Sequence, residues 1–316
     1  MAYRTTTMNA ISYGLFWLLF VPLSVLPPRV IYVLSDIISV LNYYVLRYRR
    51  KVVFKNLNES FPEKSAKEIK SIARKFYRHL TDVFLEDIIL MRISFKNMSK
   101  RMQYKNVELI NEQYKKGKDV MLVMGHLGNW EWPGSFASYT PYGLCSVYKK
   151  LKNPYFDRFF KKLRTRFGLQ LFEMKDSFRL TYARKQNSIP TALALIADQS
   201  PQWKEMKYFT NFLNHPGTPI FLGPERIAKA LDMSVFYADI TKPKRGHYVL
   251  KFIPLFESVK DLPEYTVTEA HTRMLEENIQ RCPEIWLWSH KRWKRMESDM
   301  YKEENKHNIN PTRTKE

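Results

Sequence analysis

The sequence predicts an α/β chain, and three stretches carry that expectation. Residues 121–124 (Met-Leu-Val-Met) are an unbroken apolar run bounded by turn residues. That pattern suits a strand buried on both faces of a parallel sheet. Residues 189–197 form a second apolar strand candidate, ending in Asp198-Gln199-Ser200-Pro201. Between the strand candidates lie segments of helical period. The clearest opens at Ser65-Ala66-Lys67-Glu68, a capping-box pattern behind Pro62.

The 316 residues suffice for one large domain, or a domain with an appendage, and for a sizeable core. Lys and Arg number 52 against 31 Asp and Glu, a net charge of +21 that draws in anionic partners: nucleic acid, an anionic membrane or an acidic protein. The 19 Tyr, 20 Phe and 7 Trp beside those cations suit a membrane interface. They also suit RNA, but no zinc-finger, RNP or KH signature accompanies them. Two cysteines, Cys145 and Cys282, make no disulfide framework and fit a reducing compartment.

Taken in order, residues 1–10 are short and polar. Residues 11–26 are apolar and are stopped by Pro27 and Pro28. Residues 30–46 are a second apolar run, broken by Asp36 and Asn42, and Arg47, Arg49, Arg50 and Lys51 follow. A spanning helix needs about 20 apolar residues, and each run is shorter. Pro22 also kinks the first. A secretory signal is a competing reading, but it lacks a cationic start beyond Arg4 and a small-x-small cleavage site. The expectation is a helical hairpin lying in or dipping into a bilayer, with a single span as a further option, its basic edge cytoplasmic. Two ordinary core helices are the alternative. The capping box then opens an amphipathic helix to about residue 91, with Ile69, Ile72, Phe76, Leu80, Val83 and Ile88 near helical spacing and His79 inside it as a structural residue.

Residues 103–117 read as a helix closing at Gly117, directly before the central strand. Residues 144–148 are a strand candidate. A cation-rich helix follows Asn153-Pro154 through Lys161, Lys162, Arg164 and Arg166 to Gly168, a pattern that also describes a solvated face. Asp176 is placed to cap a helix holding Phe178, Arg179 and Ala183, and residues 223–231 form another helix. Residues 234–241 and 248–255 read as strands of a hairpin turned at Lys242-Pro243-Lys244-Arg245-Gly246-His247. Thr266-x-x-Glu269 caps a last helix to about residue 280, and residues 297–316 are a polar tail expected to be disordered.

The chemistry concentrates after the central strand. Gly125 and Gly128 bracket His126 at a strand's carboxyl end, where open α/β sheets bind ligands. Asn129 is placed to cap a helix from about Trp130, with Glu131 in its first turn and within reach of the imidazole. A neutral imidazole takes a proton from a hydroxyl, and a carboxylate on its other nitrogen fixes the tautomer and supports the imidazolium. No Gly-x-Ser-x-Gly occurs, so the hydroxyl is expected on the substrate. On spacing alone the more ordinary reading is a buried structural histidine and an exposed helix-start carboxylate. Metal spacing is not met, since His126 and Glu131 are not i, i+4 and no Cys/His cluster accompanies them. Asp198 either orients a partner or caps a turn.

The stretch His126-Leu127-Gly128-Asn129-Trp130-Glu131 resembles the His-x4-Asp/Glu motif of glycerolipid acyltransferases. With Gly-Asn-Trp inside, it is similar to that of the lipid A biosynthesis (late, or secondary) acyltransferase family, within the lysophospholipid acyltransferase superfamily. Other blocks follow the family's order: Asn56-Leu57 before Phe61-Pro62, Asn153-Pro154 with Asp157 and later arginines, the strand ending at Asp198, residues 209–219, and Pro283-Glu284-Ile285-Trp286-Leu287-Trp288-Ser289-His290. The resemblance runs from about residue 10 to 295. It implies a mostly parallel central sheet wrapped by helices, with an N-terminal helical membrane anchor. The corresponding division is 1–51 anchor, 52–296 acyltransferase domain and 297–316 tail.

The activity it implies moves a fatty acyl chain from a thioester, on acyl-carrier protein or CoA, to a hydroxyl of a lipid A precursor. The setting is the cytoplasmic side of the inner membrane, among its phospholipids and without nucleic acid. His126 would be the general base and Glu131 would orient and charge-balance it, with no metal or other cofactor. Backbone N–H groups near Gly128, beside Asn129, or a guanidinium of Arg164 or Arg166, would steady the oxyanion or hold a phosphate, with Asp198 beside the cleft. An acidic carrier and an anionic glycolipid both fit the +21 charge. The alternatives are a lysophospholipid, aminolipid or glycophospholipid acceptor, a non-catalytic membrane-binding protein of the same fold, and a basic RNA-binding protein.

Overall fold

The computed structural model describes residues 2–300. Residues 301–316, most of the expected disordered tail, lie outside the described residues. Helix α1 (Ala2–Phe20) runs into a 3₁₀ turn at Pro22–Val25, where Pro22 cannot continue the α-helical ladder. Helix α2 (Pro28–Val40) continues as a π turn, Leu41–Leu46. Thr7–Val25 and Pro28–Leu46, 19 residues each, are long and apolar enough to cross a membrane, with the first wholly unburied. Neither stands apart from the body. Tyr13 and Phe16 of α1 pack on Phe156 and Phe159.

After α3 (Arg50–Ser60), helix α4 (Ala66–Leu90) begins with the expected capping box. Ser65 Oγ accepts from the Glu68 amide and Glu68 Oε2 accepts from the Ser65 amide. Such a cap contributes about 1 kcal/mol. The chain continues through α5 (Phe95–Arg101), β1 (Met102–Lys105), α6 (Val107–Lys115), β2 (Val120–Met124), a 3₁₀ segment at Trp132–Ser138, β3 (Gly143–Tyr148), α7 (Pro154–Arg164), β4 (Gln170–Glu173), α8 (Ser177–Gln186) and β5 (Thr191–Ile196). A small hairpin of β6 (Phe209–Phe212) and β7 (His215–Pro219) precedes α9 (Gly223–Leu231), β8 (Ser234–Lys244), β9 (His247–Phe256) and α10 (Thr266–Arg281).

Seven strands form one sheet in the order β1-β9-β8-β2-β5-β3-β4, parallel except at the β8–β9 hairpin. This is the mostly parallel α/β architecture that the apolar runs imply. Strand β2 is central and buried along its whole length. Alternation divides its side chains: Leu122 and Met124 face the core that includes α4, Met121 and Val123 the core that includes α9.

Three local expectations are corrected. Residues 103–105 are not helical but belong to edge strand β1, because Met102–Lys105 pairs with residues 248–251, a partner invisible to local pattern. The cap of α10 is not Thr266. Tyr265 sits there at φ 69 with no side-chain bond, and Glu225 of α9 accepts from the amides of Tyr265 (2.6 Å) and Thr268 (2.8 Å). Asp176 occupies the cap position of α8 without capping it; its carboxylate pairs with Arg179.

Candidate active site

Parallel pairing of β2 with β5 sets Met124 beside Ile196. Two residues beyond each strand end, the same offset brings His126 beside Asp198. Asp198 Oδ1 accepts from His126 Nδ1 at 2.6 Å, and Oδ2 accepts from the His126 amide at 2.8 Å and from Trp286 Nε1 at 2.8 Å. Gly125 permits this approach, since a Cβ there would lie 3.3 Å from Asp198 Oδ2 and 2.6 Å from Leu275 Cδ1. Burial alone would raise the Asp198 carboxyl. The His126 imidazole, with the hydrogen bonds from His126 and Trp286, outweighs that and brings it down to about 2. An ionised Asp198 can only accept, so Nδ1 carries the proton, and in the neutral imidazole the lone pair then lies on Nε2. Gln199 Nε2 lies 3.4 Å from that Nε2, and Trp130 packs edge-on against the ring.

Glu131 is not the carboxylate on His126. Its oxygens accept from Arg164 Nε (2.5 Å) and Nη2 (2.6 Å), a fork-to-fork pair. The expected first helical turn is absent: the backbone goes into a 3₁₀ segment at Trp132, because Pro133 lacks a donor and Gly134 is a poor helix former. Asn129 caps no helix; its Oδ1 accepts from the amides of Glu131 (3.0 Å) and Trp132 (3.1 Å) and holds the turn that leads into the 3₁₀ segment. It is fully buried, so it is a scaffold residue rather than one in contact with the cavity.

Gly128 is also corrected. Its amide donates to Ile285 O at 3.0 Å and its carbonyl lies 3.2 Å from His79 Nε2, so its own N–H is already engaged. Glycine is needed there because φ is 57° and a Cβ would press within 3.1 Å of Ile240 and Tyr248. Of the two arginines, helix α7 delivers Arg164 to the site. Arg166, past the helix end, turns away and donates to the carbonyls of Leu90, the last residue of α4, and Ile93. Those carbonyls lack helical partners, and a guanidinium satisfies both.

These groups border a cavity of about 790 Å³. His126, Trp130, Glu131, Arg164, Lys149 and His290 line its polar part, and Leu122, Met124, Phe136, Leu144, Ala194 and Ile196 line its apolar part. Burial holds the His290 imidazole down to about 4, so it is neutral near pH 7. Burial, then the nearby Glu131 charge, push the Asp87 carboxyl well up. An imidazole with Nδ1 held and Nε2 open to the cavity can take a proton from a hydroxyl. Apolar strand side chains can receive an alkyl chain. Sequence reasoning missed Trp286, although its block was in view; its bond to Asp198 Oδ2 comes with the backbone pairing of Leu127 with Trp286.

No curated protein matches the chain significantly. The family model described as bacterial lipid A biosynthesis acyltransferase matches residues 1–295, nearly the whole chain, and the chain belongs to that family.

Proposed function

We propose that the protein is a membrane-associated O-acyltransferase. It moves a fatty acyl chain from an acyl thioester, on acyl-carrier protein in preference to CoA, to a hydroxyl of a lipid A precursor. The observation that carries this is His126, held at Nδ1 by Asp198 and turned by Nε2 toward a cavity with apolar walls. Nε2 takes the hydroxyl proton as the oxygen attacks the thioester carbonyl. The tetrahedral intermediate collapses to the ester, and the departing thiolate takes the proton from the imidazolium. No acyl-enzyme is formed.

In this reading the acyl chain lies between Leu122, Met124, Ala194 and Ile196. Glu131 acts through Arg164, holding its guanidinium beside the cavity for the oxyanion or an acceptor phosphate. Lys149, Lys294 and Arg295 line the same cavity and suit an acidic carrier or anionic glycolipid. Residues 1–51 anchor the catalytic portion, 52–296, to the inner membrane. Support comes from the exposed Leu15, Leu18 and Leu19 of α1 and Val33 and Ile37 of α2, followed by Arg47, Arg49, Arg50 and Lys51 on the cytoplasmic side.

Lipid mass spectrometry of a strain lacking the protein tests the acceptor. Loss of one acyl chain from lipid A supports the assignment. An intact lipid A with an altered phospholipid or aminolipid would replace the acceptor, and no lipid change would favour a binding protein.

A further inference from the structure

Helix α2 has two unlike faces. Val30, Val33, Ile37 and Val40 are exposed, while Ser35 is fully buried and Tyr32 and Asp36 turn toward the body. The body meets this polar face with Asp82 and Glu86 of α4, and His79 lies on the same stripe at helical spacing. Ser35 Oγ donates to Asp82 Oδ1 at 2.7 Å, and Arg245 of the β8–β9 hairpin donates to Asp82, Asp36 and the Tyr32 carbonyl. All three α4 residues are buried, and two reach the loop that carries His126.

His79 Nε2 meets the Gly128 carbonyl at 3.2 Å, while Lys242 donates to Nδ1 at 3.1 Å. With Nδ1 accepting, Nε2 is the donor. Glu86 is more constrained. Its Oε2 accepts from Asn129 Nδ2 (2.7 Å) and Tyr248 OH (2.8 Å), and its Oε1 accepts from Tyr32 OH (2.9 Å). With Tyr248 and Tyr32 also donating to this carboxyl, Oε2 is left to accept from Asn129, which fixes the end of the amide that faces it. The NH₂ goes to Glu86, and the oxygen is thereby aimed at the amides of Glu131 and Trp132.

We propose that Glu86 is a positioning residue for acyl transfer: through Asn129 it sets the backbone that presents Glu131 to Arg164, and through Tyr32 it makes the seating of α2 part of the same network. Helix α2 thus does two separable things. Its apolar face meets lipid, and its Tyr32 hydroxyl steadies the reaction loop. The proposal rests on the acyltransferase reading above.

The test uses full-length protein in detergent and on anionic vesicles, with Glu86→Ala, Glu86→Gln, Asn129→Ala, the double variant Glu86→Ala/Asn129→Ala, and Tyr32→Phe. Turnover, KM for the acyl thioester, and hydrogen exchange at the amides of 131 and 132 are read together. Glu86→Ala should lower kcat on the order of 10²-fold, the cost of a displaced site, with little change in KM and faster exchange at both amides. Glu86→Gln should recover part of the loss: its oxygen can still take Asn129 and Tyr248, while the Tyr32 hydroxyl reverses to accept from the new NH₂. Asn129→Ala should match Glu86→Ala, and the double variant should be no worse than either, because the two act as one unit. Tyr32→Phe should lower kcat without altering vesicle binding.

Wild-type kcat and exchange in Glu86→Ala would overturn the proposal, as would losses that multiply in the double variant. If Glu86→Ala does not fold, unchanged kcat and exchange in both Glu86→Gln and Tyr32→Phe overturn it instead. The wild-type protein is assayed alongside. Absence of acyl transfer there refutes the proposed function and leaves the exchange data to judge the loop.

Discussion

Asp198→Asn separates orientation of His126 from mere packing around it. The new amide keeps the size of the carboxyl but must choose which end faces which neighbour. Oδ2 now accepts from two donors that cannot reverse, the His126 amide and Trp286 Nε1, whereas Oδ1 accepts from one, His126 Nδ1. Turning NH₂ toward the first pair would leave two buried donors unpaired, at about 1–3 kcal/mol each. Turning NH₂ toward Nδ1 costs only a shift of the imidazole proton to Nε2, so that arrangement wins. The proton then sits on the nitrogen that must accept one. The matching change in serine-protease triads lowers kcat by on the order of 10⁴, or about 5 kcal/mol of barrier. The assay is initial-rate acyl transfer with labelled thioester and purified protein, beside a thermal melt. A folded Asp198→Asn protein within about tenfold of wild type would refute the orientation argument, because it would leave no room for a general-base contribution of about 10²–10⁴.

Other outcomes follow from the same geometry. Arg164→Lys should lose most activity, since an ammonium cannot make the two parallel bonds to Glu131, and Glu131→Ala/Arg164→Ala should be no worse than Arg164→Ala; multiplying losses in that kinetic comparison would separate the two residues. Arg166→Ala should leave kcat unchanged but lower stability by about 1–3 kcal/mol, read by denaturant melts, by orphaning the carbonyls of Leu90 and Ile93. Ala194→Leu, which narrows the apolar part of the cavity, should shift product toward shorter acyl chains in mass spectrometry. Val33→Glu with Ile37→Glu should weaken salt-resistant vesicle pelleting while the fold survives, because both side chains are exposed. Burial holds His271 and His290 down to about 4 from 6.5. The unfolded chain therefore binds these protons first, so their contribution is complete above pH 6.5 and is lost as pH falls from 6.5 toward 4. Melting temperature should decline through that window, less steeply in His271→Phe, and a flat profile would contradict the assignment.

What could be read from sequence was local. The apolar run of β2, the Ser65 box on α4 and the turn before β9 declare themselves within a few residues, and each is where its pattern puts it. What escaped was set by pairing across the fold. Residues 102–105 become a strand only because 248–251 lie beside them, and Glu225 caps α10 from another helix. The same limit shaped the site. Glu131 is close to His126 in sequence, which made it the natural partner for the imidazole. Asp198 is 72 residues away and reaches His126 because β2 and β5 are neighbours in register. Arg164 and Arg166 could not be separated by pattern, since residues two apart point to opposite sides of the turn and only the packing of α7 decides which side meets the site.

The most direct measurement is acyl transfer by purified His126→Ala protein, with labelled acyl-carrier protein as donor and a lipid A precursor as acceptor. Product is read by mass spectrometry, with melting temperature and vesicle binding as controls. The account predicts a folded, lipid-bound protein whose rate is lower by at least about 10²-fold. Wild-type turnover in that variant would contradict it and remove His126 from the chemistry.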